Sequence, residues 1–301
     1  MKTYHFRFLF FPLCLASFCL LCGRLLLLAD QPDMTQIQAD AAKGDAEAEF
    51  QLGRAYDRGE GEKVDYAQAR AYYEKAAAAG NAKAMNNLGM IYFLGKGVKK
   101  DLAEAAKWYR QAAENGACLA QFNLAVQLAQ GQGVAKNPKE AAAWYEKSAE
   151  QGYVLAQANL CLLDYQGDDG FPPDYKAATK WAEPAAKAGN PIGEDILGKI
   201  DRGGADRPED KVAMLMWFKR SAEAGYDEGQ LDLGRAYLDG EGVAFNAVEG
   251  TKWLILSSDK GNKMAQHYMD QEYGPLITPQ VLKQAKALAE EYKPNTSGTV
   301  N

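Results

Sequence analysis

The polar groups that recur at fixed spacing in this sequence are amides and carboxylates. Gln51, Asn87, Asn123 and Asn159 follow one another at intervals of 36 residues, and the series continues as Ile196 and Asp232. A side-chain amide offers donors and an acceptor together. A row of amides can therefore hold an extended peptide backbone through paired hydrogen bonds. Arg54, Asn86 and Arg235 are neighbouring candidates for the same surface. A second group is acidic: Asp164, Asp168, Asp169, Asp195 and Asp201. Such a group suits a basic partner or, as a weaker alternative, a hard cation, but the sequence lacks the twelve-residue grammar of a calcium loop. Nothing pairs a nucleophile with a base. The two histidines are His5 and His267, and H-E-x-x-H, G-x-S-x-G and C-x-x-C are absent. We therefore expect no catalytic residue, no cofactor and no metal site, and a binding function instead.

These side chains must be carried by repeated elements. A terminal glycine recurs at Gly80, Gly116, Gly152, Gly189, Gly225 and Gly261. An aromatic keeps step with it at Tyr72, Trp108, Trp144, Trp181, Trp217 and Trp253, and both series share one single-residue insertion. Asp65, Asp101, Asn137, Asp174, Asp210 and Asn246 open the helix that carries the aromatic. Asp or Asn there accepts hydrogen bonds from free N–H groups, and Gly at the far end supplies the left-handed stop. Leu52, Leu88, Leu124, Leu160, Leu197 and Leu233 mark the helix before it. Each unit thus reads helix, turn, helix, with one apolar face that only a neighbouring unit can bury. The Gly-x-Gly turns, such as Gly95/Gly97 and Gly131/Gly133, follow helices and recur once per unit. They read as structural turns and not as phosphate loops.

The pattern A-x(3)-LG-x(2)-Y-x(2)-G-x-GV-x(2)-D-x(3)-A-x(2)-WY-x(2)-AA-x(2)-G resembles the Sel1-like repeat, a relative of the tetratricopeptide repeat. The resemblance covers residues 45–261 as six units: 45–80, 81–116, 117–152, 153–189, 190–225 and 226–261. It implies an all-α fold, a right-handed α-solenoid whose first helices line a concave face. By analogy with tetratricopeptide clamps, the amide series would face that groove. Family members commonly serve as adaptors. Cys118 and Cys161 lie 43 residues apart, out of level on successive units, which argues against a disulfide. The paired-cysteine staple of some exported relatives is missing.

Residues 1–30 carry a basic start, Lys2 and Arg7, and an apolar stretch, Phe8–Cys22, and read as a signal peptide or signal anchor. Export to the periplasm or beyond follows, and any membrane attachment would run through this segment alone. The net charge is −6. Setting aside Lys2, Arg7, Arg24 and Asp30 leaves 31 basic and 39 acidic residues. An acidic chain without clustered Lys and Arg is a poor nucleic-acid binder. Residues 31–44 read as an N-terminal capping helix. Residues 262–293 read as a half-repeat and a capping helix opened by Thr278-Pro279, and residues 294–301 as a loose tail. Units four and five depart from the pattern: Asp164 and Asp201 replace the tyrosine of Tyr56 and Tyr92, and Pro184 enters a helix it should kink. Either these units have degenerated or they form an acidic elbow.

The reading is an exported scaffold that binds a protein or peptide through its concave face. One alternative is a periplasmic inhibitor or immunity protein that neutralises a secreted toxic effector such as a phospholipase. An outlying one is a cell-wall-active or β-lactam-hydrolysing enzyme.

Overall fold

A computed structural model describes residues 34–60 and 63–292. The leader, with His5, Cys14, Cys19 and Cys22, and the tail from Pro294 lie outside the described residues. The fold is the all-α repeat architecture expected from the sequence. Among the described residues there is no β-strand, only an isolated bridge between Asp168 and Phe171. The chain divides into two compact units, Met1–Ala84 and Met85–Asn301.

In the first unit, α1 (Met34–Ala41) precedes the pair α2 (Ala46–Arg58) and α3 (Tyr66–Ala78). Ala41, Ala48 and Leu52 form its core, with Met34, Ile37 and Tyr72 packed on it. Tyr73 is fully buried against Gly53, where an added Cβ would lie 2.5 Å from the ring.

The second unit holds most of α4 (Ala82–Leu94), then the helices α5 (Leu102–Glu114), α6 (Cys118–Gln130), α7 (Pro138–Glu150) and α8 (Val154–Gln166). It continues through α9 (Tyr175–Lys187), α10 (Pro191–Gly203), α11 (Lys211–Glu223), α12 (Asp227–Asp239) and α13 (Ala247–Asp259). It ends in α14 (Lys263–His267), a π-helical turn (Tyr268–Glu272) and α15 (Pro279–Glu291).

From α2 to α13 every helix has 13 residues. A glycine recurs at a fixed place past each helix, directly after the first helix of a repeat and two residues after the second. Asp65, Asp101, Asn137, Asp174, Asp210 and Asn246 all accept from N–H groups of the helix they open. The Gly-x-Gly turns have two separate duties. Gly131 ends α6 in the left-handed conformation, at φ 68. Gly133, at φ 73, sits so close to the Leu102 carbonyl that any Cβ would collide with it.

Size complementarity joins the two helices of each unit. Gly89 meets the Tyr109 ring and Gly198 meets Phe218, each with a notional Cβ 2.5 Å from the ring. In unit four the partners at this register are inverted: Cys161 replaces the glycine and Ala182 the aromatic, and both are fully buried. α9 does not stop at Pro184. It continues to Lys187 and keeps the common length. At the C-terminal end Ala265 and Tyr273 are buried, while the π-helical turn interrupts the helix between them.

Candidate functional site

The amide series divides when each side chain is placed. In the first unit, Gln51 donates to Glu47 at 2.8 Å and accepts from Arg54 at 3.2 Å. Arg54 also lies 3.9 Å from Glu60 and over the Phe50 ring. Both are engaged along their own helix and its following turn.

In the second unit, Asn86 is buried. It donates to Asn87 at 3.4 Å and accepts from Asn123 at 3.1 Å. Asn87 and Asn123 are half-buried and so joined through Asn86. Asn159 turns back on its own helix and donates to the Leu155 carbonyl at 2.8 Å. The four amides are thus not an unbroken ladder. Arg235 stacks over Tyr268 at 4.6 Å and lies 3.7 Å from Asp232, so it serves the packing of the C-terminal end.

Beside Asn123 the first helices leave an apolar cleft of about 220 Å³. Met90, Phe93 and Leu94 of α4 line one side, Phe122 and Val126 of α6 the other. Met90 and Leu94 are 40% and 53% exposed, high for apolar residues on the helix that carries fully buried Leu88 and Ile91. Sequence reasoning missed this cleft. The repeat pattern marks α4 as a core helix and says nothing of the residues that overhang the core.

The carboxylates of the acidic group do not share one set of partners. Asp168 binds Lys136 at 2.7 Å, and the exposed Asp169 donates its backbone N–H to Asp168. Asp201 binds Arg207 at 2.5 Å. Asp195 is 1% exposed and lies 2.7 Å from Lys199. Lys199 also reaches Asp232 at 3.3 Å, and Asp232 binds Arg202 at 2.7 Å. Arg202 continues to Glu241 at 3.0 Å. Burial works against the Lys199 ammonium, but the carboxylates of Asp195 and Asp232 outweigh it and raise its pKa. The cations that pair with carboxylates of this group are Lys136, Lys199 and Arg207. The Asp195–Lys199 spacing of four is legible on a helix, whereas Arg202 and Asp232 are 30 residues apart and meet only once the helices stack.

Asp164 is the exception. It is 5% exposed, and among the described residues no donor binds its carboxylate. Burial, then the nearby carboxylates of Asp174 and Glu146, push its pKa up to about 7, against the pull of Lys180. Among the described residues no three His, Cys, Asp or Glu side chains come together in a way that could hold a metal ion. Cys118 and Cys161 are free, and His267 is exposed.

Six stretches of the chain match the model of the Sel1 repeat: residues 46–81, 82–116, 118–153, 154–190, 203–226 and 227–262. The fifth match begins only at the last residue of α10, the helix that carries Asp195, Lys199 and Arg202. Among solved structures, the chain is similar to a Sel1 repeat protein from Oxalobacter formigenes. The two are 29% identical, 84% of this chain and 98% of that chain are covered, and the TM-score is 0.66. It is also similar to c5321, a protective antigen of uropathogenic Escherichia coli with an SLR fold, at 25% identity, 86% and 71% coverage and TM-score 0.38. A third similarity is to the immunity protein Pa5087 of Pseudomonas aeruginosa, at 18% identity, 73% and 84% coverage and TM-score 0.41. No protein of curated function matches the sequence.

Proposed function

The chain belongs to the Sel1 repeat family, and from that premise we propose that it is an exported scaffold that holds a protein or peptide partner and performs no catalysis. The observation that carries this reading is the cleft between α4 and α6. An exposed apolar cleft with polar groups at its edge has the make-up of a site for a partner's apolar side chain. The Asn87 amide N–H groups and the Asn123 carbonyl have no partner among the described residues, so they remain free for a peptide backbone beside that anchor. Export rests on the basic start and apolar stretch of residues 1–30.

The test is capture from an envelope extract with the full chain and a Met90→Glu/Leu94→Glu variant. A specific partner is expected on the parent and absent from the variant, with helicity by circular dichroism equal in both. Equal capture by both chains would overturn the site. The mass of the mature N-terminus, measured on the same preparation, checks export.

A further inference from the structure

We propose that a cleft around Asp164 is a second binding site and takes the guanidinium group of an arginine side chain from a partner protein. The cleft has a volume of about 490 Å³ and is lined by Asp164, Phe171, Pro172, Pro173, Tyr175 and Asp206, among others. Asp164 forms part of its wall: the residue is 5% exposed, and its carboxylate has no protein donor among the described residues but reaches the cleft. A carboxylate so largely desolvated is costly, and a cation entering the cleft would compensate it.

The next repeat shows what that group is. Asp201 stands at the same register as Asp164, one repeat and one inserted residue later. Its carboxylate is also buried, and the chain itself provides the cation: Arg207, six residues on, binds it at 2.5 Å. The inserted residue of unit four lies between Asp164 and Asp174, so Arg207 falls opposite Gly170 counted from Asp164 and opposite Phe171 counted back from the cap, and neither is a cation. No atom lies within 4 Å of the Cβ position of Gly170. The Asp164 loop, Gly-Asp-Asp-Gly-Phe-Pro-Pro, contains no cation. Unit four thus lacks the cation that unit five provides to the carboxylate at this register.

The other charges nearby do not replace it. Lys180 on α9 is held by Glu146 of α7 at 3.3 Å and lies over the Trp181 ring. Lys176 lines the cleft but forms no ion pair among the described residues. Asp174 caps α9, Asp206 faces the cleft from the loop after α10, and Cys161 is the titratable neighbour on Asp164's own helix. Carboxylates outnumber free cations at the site. Phe171, Tyr175 and the two prolines offer apolar and aromatic walls for the arm of an arginine.

This inference deepens the scaffold reading, on which the protein source of the arginine rests. The probe is a small molecule, so the two can fail separately. N-acetyl-arginine amide is titrated into the full chain by calorimetry, with N-acetyl-citrulline amide as the neutral isostere. Saturable binding of the arginine compound is expected, with citrulline at least about tenfold weaker, as for loss of a charged hydrogen bond. Asp164→Asn should lose that preference. In the unaltered chain, affinity should fall as pH drops below about 7 and Asp164 takes up its proton. This second measurement needs no variant. Equal binding of arginine and citrulline, no saturable binding, an undiminished preference in Asp164→Asn, or affinity independent of pH would each overturn the proposal.

Discussion

Glycine and tyrosine, glutamine and carbonyl, aspartate and arginine meet as single pairs in this protein, and each pair has its own energetic consequence. Gly198 has the Phe218 ring where its side chain would be. Gly198→Ala should therefore lower stability by about 1–3 kcal/mol, the cost of overpacking, read as a drop in the thermal midpoint. The same change at Gly203, which nothing crowds, should be tolerated. Asp164 makes a different prediction. Its pKa rises from 3.8 unfolded to about 7 folded. Between those values the folded chain binds more protons than the unfolded one, so stability falls as pH rises through that window. Asp164→Asn removes this slope. In thermal melts the variant should gain on the parent as pH rises, and a constant difference across the window would show that the carboxylate is solvated.

At the scale of the element, three of the repeats reuse one bond to the repeat before them. Gln121, Gln157 and Gln230 are buried near the starts of their helices, and each donates to a carbonyl at the end of the preceding one: Ala113, Ala149 and Ala222. In unit five the register holds Glu194, which as a carboxylate cannot donate. Arg220 takes over, binding Glu194 at 2.7 Å and donating to the Ala186 carbonyl at 3.4 Å. Arg220→Ala should cost about 2 kcal/mol, because it leaves a buried carboxylate and a carbonyl without a donor. Glu194→Gln in that background should restore the bond that Gln121, Gln157 and Gln230 make and recover most of the loss in denaturant unfolding. An additive double variant would mean that the two residues are not coupled.

For the second unit as a whole, part-buried ion pairs from Lys199 and Arg202 to Asp232 join α10 to α12, helices of successive repeats. Asp232→Ala would leave Lys199 and Arg202 short of a counter-charge, at a cost of about 3 kcal/mol. Repeats interact with their neighbours, so the loosening should stay local. Hydrogen exchange should speed up over residues 191–239 and leave α6 and α7 protected. Uniform acceleration would indicate that the unit unfolds as one body.

The sequence by itself determined the repeat, its helix starts and stops, and the membership in a scaffold family. Those features are local: a cap, a left-handed glycine and an apolar stripe act within a few residues and recur in phase. It also marked Asn87 and Asn123 as candidates, because an amide recurs at their register, and Asp164, because its register holds Tyr or Leu in most other units. Only the tertiary structure decided which of them are free. Arg207 reaches Asp201, Asn123 reaches Asn86 and Arg202 reaches Asp232, while no donor among the described residues reaches Asp164. Whether a polar group in a repeat is satisfied depends on which side chains from other turns of the chain arrive within about 3 Å, the reach of a hydrogen bond. A one-dimensional period does not encode that distance.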